Sequence, residues 1–182
     1  MMKADANGVF SFACFDVATV SLGLILLADD AGFDGAAGSY FPTISGIAGY
    51  SNNDDKVCEE GAKAMAINNQ LQAGLDQIPG LDKTTVGYII GAVVDANRAP
   101  LAGATVARGD GVALTAVLYP NANFSDLTGT ETSATGIYII PTQLTLAPLI
   151  GVKTGYTWDL TTFKAATVPG AAYFVPLVAN PQ

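Results

Sequence analysis

The chain has 182 residues, half of them apolar, only 13% charged, with a net charge of −8 and no histidine. Its apolar content argues against intrinsic disorder, and its charged fraction is about half the typical share of roughly 25%, so little ionic cover is available for the surface. An acidic chain without a Lys/Arg cluster is a poor partner for nucleic acid or anionic membranes, and lack of histidine removes the usual general base and the commonest transition-metal ligand.

Val9–Ala28 is mostly apolar but is broken by Asp16, Ser11, Thr19, Ser21 and Gly23. A signal-peptide core is an uninterrupted apolar run, and a membrane span tolerates few charges near its centre. The segment is therefore expected to stay in the molecule as one or two buried strands, and no transmembrane segment is expected. Asp29-Asp-Ala-Gly-Phe-Asp-Gly35 lacks the alternating acidic spacing of a calcium loop and reads as a solvated connection, with no metal site. Tyr40–Tyr50 follows as extended, turn-rich chain.

Ser51–Asp55 offers helix-capping side chains. Good helix formers then run to Leu75, with Ala62, Met65, Ala66, Leu71 and Leu75 at helical spacing and Pro79-Gly80 as a stop. A helix over about 55–76 is predicted, with Met65 in the core. Residues 1–80 thus form a β-rich segment with one helix, and residues 81–182 form a β-sandwich.

In Val86–Val94 apolar residues fill both alternating sets, which predicts a strand buried on both faces. Val112–Tyr119, Ile137–Ile140, Leu149–Lys153, Thr157–Thr162 and Ala172–Val178 are further strand candidates between Gly, Pro and Asn turns. Short strands so punctuated predict a sandwich.

Four pieces stand out within residues 86–158: Gly91-x-Val93-x-Asp95, Pro100-Leu101-x-Gly103-Ala104-x-Val106, Thr132-Ser-Ala-Thr-Gly136-x-Tyr138 and Val152-x-x-Gly155-Tyr156. In this order they resemble the carboxypeptidase regulatory-like family, whose members are transthyretin-like (prealbumin-like) β-sandwiches. The resemblance covers somewhat under half of the chain. The stretch from Val106 to Thr130 is longer than the family pattern, which suggests an inserted hairpin or loop. The first 80 residues have no counterpart; they are either a second β-rich half or strands and a helix laid on the first core. The resemblance implies an accessory, structural or adhesive unit of a secreted or surface protein, without catalytic residues.

Cys14 and Cys58 number too few for a four-ligand zinc site. The even count and the surface-protein resemblance favour a disulfide between them, with two buried free thiols as the alternative. Asn123-Phe124-Ser125 fits the N-glycosylation pattern. Tyr156 and Trp158, with Tyr173 and Phe174, provide either an aromatic platform for sugar or core packing, and packing is favoured. Asp29, Asp30, Asp34, Asp54 and Asp55 are the only candidates for paired-carboxylate hydrolysis, and nothing places two of them across a cleft. No catalytic residue and no cofactor are expected.

A surface with so little charge is covered by other copies of the chain, or belongs to an oily monomeric secreted protein or a partly membrane-associated one; self-association is favoured. The leading expectation is a non-enzymatic, extracellular or cell-surface structural protein that self-associates as a fibre, pilus-like filament or surface-layer subunit. Val9–Val20 and Ala172–Val178 are the candidate donated strands. The alternative is an adhesion module for carbohydrate or protein, built on loops at one end of the sandwich.

Overall fold

The computed structural model describes residues 15–16, 24–28, 40–47, 56–57, 65–158 and 164–182. Within them lie β1 (Phe15–Asp16), β2 (Leu24–Ala28), β3 (Tyr40–Phe41), β4 (Thr43–Ile47), β5 (Lys56–Val57), β6 (Ile67–Asn68) and α1 (Asn69–Leu75). There follow β7 (Tyr88–Asp95), β8 (Thr105–Arg108), β9 (Ile137–Ile140), β10 (Ala147–Val152), β11 (Tyr156–Trp158), β12 (Lys164–Ala165) and β13 (Ala172–Pro181). The architecture is mainly β, with one short helix among the described residues.

The larger sheet runs β2-β4-β13-β7-β9, with β11 also on β13. It is mixed: β13 is parallel to both β7 and β4, while β7–β9, β2–β4 and β11–β13 are antiparallel. The smaller sheet, β12-β10-β8, is antiparallel. Side chains alternate across a strand, and here both sets are used. Ile89, Val93, Tyr138, Ile140, Val175 and Leu177 meet Val106, Leu149 and Ala165 of the smaller sheet in one core. From the opposite face, Tyr88, Ile90, Ile139 and Ala172 pack beneath Ile67, Leu75 and Ile78. The larger sheet is thus a middle layer, which is why β7 reads as a nearly continuous apolar run.

The helix is shorter than the sequence predicts. Lys56 and Val57 pair with Asp16 and Phe15, and Ile67 and Asn68 pair with Phe41 and Tyr40. The competing partners are two buried hydroxyls of β4. Ser45 Oγ accepts the Met65 N–H at 3.1 Å, and Thr43 Oγ1 accepts the Ile67 N–H at 3.3 Å. With these amides held by side chains, the helix starts at Asn69, and Met65 is 42% exposed rather than in the core.

The strand expected over Val112–Tyr119 is also absent. Only Leu118 and Tyr119 make bridges, with Leu118 and Ile139 exchanging N–H···O bonds of 2.8 and 2.9 Å. Pro120 then removes the next donor.

Ala172–Val178, expected as a donated strand, is part of β13 and pairs within the chain. The whole of Ala172–Ala179 pairs with β7; on the other edge Ala172–Phe174 pairs with β4 and Ala179–Pro181 with β11. Among the described residues Val175–Val178 is paired on the β7 edge alone, between the contacts with β4 and β11. Apart from Phe15 and Asp16, Val9–Val20 lies outside the described residues.

Candidate functional site

The motif residues of 86–138 converge, and their atoms are engaged in building turns. Asp95 Oδ1 accepts the N–H groups of Asn97 and Ala99 at 2.8 and 2.9 Å, closing the turn after β7. Thr132, 2% exposed, accepts the Ala104 N–H at 3.0 Å and donates its hydroxyl to the Leu101 carbonyl at 2.7 Å. Gly136 has φ +69, and a Cβ there would run into the Val93 carbonyl, so only glycine suits this turn. Each of these groups is satisfied internally, as buried polar groups must be.

Tyr156 and Trp158 project from the same side of β11 and are half-buried. The Trp158 ring lies where a side chain on Gly151 would stand and packs against the sandwich core. One side of the indole thus covers the place where the smaller sheet lacks a side chain, and the ring stays half-buried.

A cavity of about 240 Å³ opens beside the end of β8, lined by Arg108, Thr115, Ile140, Thr142, Gln143 and Leu144, among others. Arg108 is its one titratable lining residue, and its guanidinium is clamped by Asp110 through Nε–H···Oδ1 at 2.9 Å and Nη2–H···Oδ2 at 2.5 Å. That pairing raises the Arg108 pKa and lowers that of Asp110. Composition gave no signal for this pair, because a lone Arg-x-Asp is commonplace.

A polar relay links the helix to the larger sheet. The buried Tyr88 hydroxyl donates to Gln72 Oε1 at 2.6 Å, Gln72 Nε2 donates to Asp76 Oδ1 at 2.7 Å, and Lys83 Nζ meets Asp76 Oδ2 at 2.5 Å. Gln72 and Asp76 stand four residues apart, a helical spacing from which the pair could have been read.

Asn123 sits exposed on the loop after Tyr119. Cys14 and Cys58 lie outside the described residues, as do Asp29, Asp30, Asp34, Asp54 and Asp55. Each cysteine is the chain neighbour of one member of a described pair, Phe15 and Val57. Among the described residues no group of three or more Cys, Asp or Glu side chains gathers that could hold a metal ion. No helix there is long and apolar enough to cross a membrane.

Several carboxylates are held below their ordinary pKa. Burial would raise that of Asp76, but hydrogen bonds from Lys83 and Gln72 and the Lys83 charge outweigh it. Asp82 is lowered by the Thr85 hydroxyl and N–H, and Asp126 by the Thr128 N–H and hydroxyl. A depressed carboxylate contributes stability above its unfolded pKa, and the contribution disappears as pH falls through the folded one. The melting temperature is therefore expected to stay level from about pH 5 to 7, where no histidine titrates, and to decline below about pH 4. Thermal melts across that range check this; Asp76→Asn should shrink the acid-side decline. A drop between pH 7 and 5 would refute it.

The geometry defines a mainly β, sandwich-like protein whose recognisable motif residues serve its turns. No protein-family model matches the chain, and no curated protein matches it in sequence.

Proposed function

We propose that the chain is a non-enzymatic, extracellular or cell-surface structural protein that associates with copies of itself through apolar and β-strand contacts, as a fibre, pilus-like filament or surface-layer subunit. The observation that carries this reading is the outer face of the smaller sheet. Ala147, Leu149 and Gly151 of β10 point inward, so Pro148, Ile150 and Val152 point out, opposite Lys164, Ala107 and Thr105 respectively. Val152 is 49% exposed, and Leu146, the residue just before the strand, is 62% exposed. On these strand positions Lys164 is the one charge. An apolar sheet face on a chain with so few charges is suited to a partner surface of the same kind.

The finer fold assignment belongs to this reading: residues 86–158 as a transthyretin-like sandwich of the carboxypeptidase regulatory-like kind. Two facing sheets around a shared core support it. Residues 81–182 are taken as its domain and residues 1–80 as a β-rich segment laid against it. A Cys14–Cys58 disulfide is part of the same proposal, and alkylation without reductant followed by intact mass reads it directly: two blocked thiols would remove it.

The test of self-association is light scattering with negative-stain microscopy of the purified chain. Large assemblies are expected, and Leu146→Glu with Val152→Glu should shift them at least tenfold toward monomer. Both positions are exposed, so the melting curve should hold within about 0.5 kcal/mol. Monomers alone at high concentration would defeat the proposal, as would assemblies indifferent to both charges.

A further inference from the structure

The loop after Tyr119 divides its polar work unevenly between two asparagines. Asn121 builds the loop. Its Oδ1 accepts the N–H groups of Ser125 and Asp126 at 3.0 and 3.3 Å, its Nδ2 donates to Ser125 Oγ at 3.0 Å, and its own N–H reaches the Asp126 carbonyl at 2.8 Å. Asp126 extends the scaffold by accepting the Thr128 N–H and hydroxyl at 2.9 and 2.7 Å. Asn123 uses only its carbonyl side. Its Oδ1 accepts the Ser125 hydroxyl at 2.8 Å and, more weakly, the Ser125 N–H at 3.4 Å. Among the described residues its Nδ2 donates to no protein group.

Asn123 also opens an Asn-Phe-Ser triplet, followed by Asp126 rather than proline. The intervening Phe124 has φ +59, unusual for a bulky residue, and its ring is 38% exposed. Residues 122–126 are all exposed at this loop. The acceptor amide and the hydroxyl two residues on are thus displayed together, on a loop already held by other side chains.

We infer that Asn123 is an N-glycosylation site, modified from a sugar donor carried on a polyisoprenyl phosphate or pyrophosphate. Asn123 Nδ2 forms a bond to the sugar's C1 as the bond from C1 to the donor phosphate oxygen breaks. The phosphate leaves with that electron pair, and the amide loses one proton to a base of the transferase. No oxidant or reductant is needed. The attached glycan supplies hydroxyl groups beside the exposed Phe124, on a chain that has few charges with which to hold water.

The inference rests on the extracellular part of the proposed function but not on self-association. The test uses full-length protein from its own source, with intact mass and peptide fragmentation across residues 121–130. A carbohydrate mass excess is expected on Asn123, lost completely in Asn123→Gln and in Ser125→Ala and kept in Ser125→Thr. Asn123 is exposed and its side chain hydrogen-bonds only to Ser125, which Asn121 also holds, so Asn123→Gln should melt close to the parent and the loss is not one of folding. An unmodified Asn123 would overturn the site, as would an excess that persists in Asn123→Gln. Unmodified chains that still assemble would end this inference alone, whereas modified chains that stay monomeric would end self-association alone.

Discussion

Gly91→Ala is expected to destabilise the protein by about 3 kcal/mol, the severe end of what overpacking costs. Gly91 stands mid-way along β7, opposite Tyr138 on one side and Val175 on the other. A methyl group there would enter the space of the Val175 carbonyl and the Tyr138 ring. Neither neighbour can yield cheaply. Val175 is a rung of the central β7–β13 ladder, and Tyr138 is fully buried with its hydroxyl donated to the Val175 carbonyl at 2.9 Å. The aromatic ring thus fills the gap that the glycine leaves, and each residue requires the other. Urea unfolding would measure the loss. Gly91→Ala with Tyr138→Leu should be less damaging than the two single losses added, because the clash is shared. An unchanged midpoint in the single variant would show that this contact does not constrain the sheet.

The second large effect is expected at Tyr88, at the start of the same strand. Its ring is fully buried and stacked on Phe41, with centroids 5.9 Å apart and planes 10° apart. Lys83 Nζ lies 5.8 Å from the Phe41 ring centre, so the aromatic pair and the polar relay through Gln72 and Asp76 end at the same lysine. Tyr88→Ala removes both the packing and the relay's anchor and should cost about 3–5 kcal/mol. Tyr88→Phe keeps the ring but leaves the Gln72 carbonyl, on a side chain 4% exposed, without its donor; about 1–3 kcal/mol is expected. Melting curves give the ranking, and amide exchange in α1 gives the location, since this helix is held to the sheet through Tyr88. Equal losses in the two variants would remove the packing argument. No loss in Tyr88→Phe would remove the hydrogen-bond argument.

Much of the sandwich was legible because alternation is a local property. β7, β9 and β13 carry apolar residues on both alternating sets, and each proves to belong to the two-faced middle layer. Asp95 and Gly136 lie within the motif pieces visible in the sequence, and the turns they make act within a few residues of chain. The helix departs from its sequence pattern where distant groups intervene. Nothing in the run from Lys56 to Leu75 announces that Ser45 and Thr43 will take its amides. Val112–Tyr119 has a strand's alternation but pairs only at Leu118 and Tyr119. The candidate sites divide in the same way. The Asn-Phe-Ser triplet was visible in the letters, but only the loop's hydrogen bonds separate Asn123 from Asn121.

By itself, the order of residues determined a β-rich, weakly charged chain, turns at particular glycines and a strand with no polar face. Only the tertiary structure decided that β13 lies between partners, that Trp158 covers Gly151 and that an apolar sheet face is left toward solvent. The reason is the range of the forces involved. Backbone preference and side-chain alternation act between near neighbours. Strand order, register and the fit of a ring over a glycine join residues far apart in the chain, and their energies arise only once those residues meet.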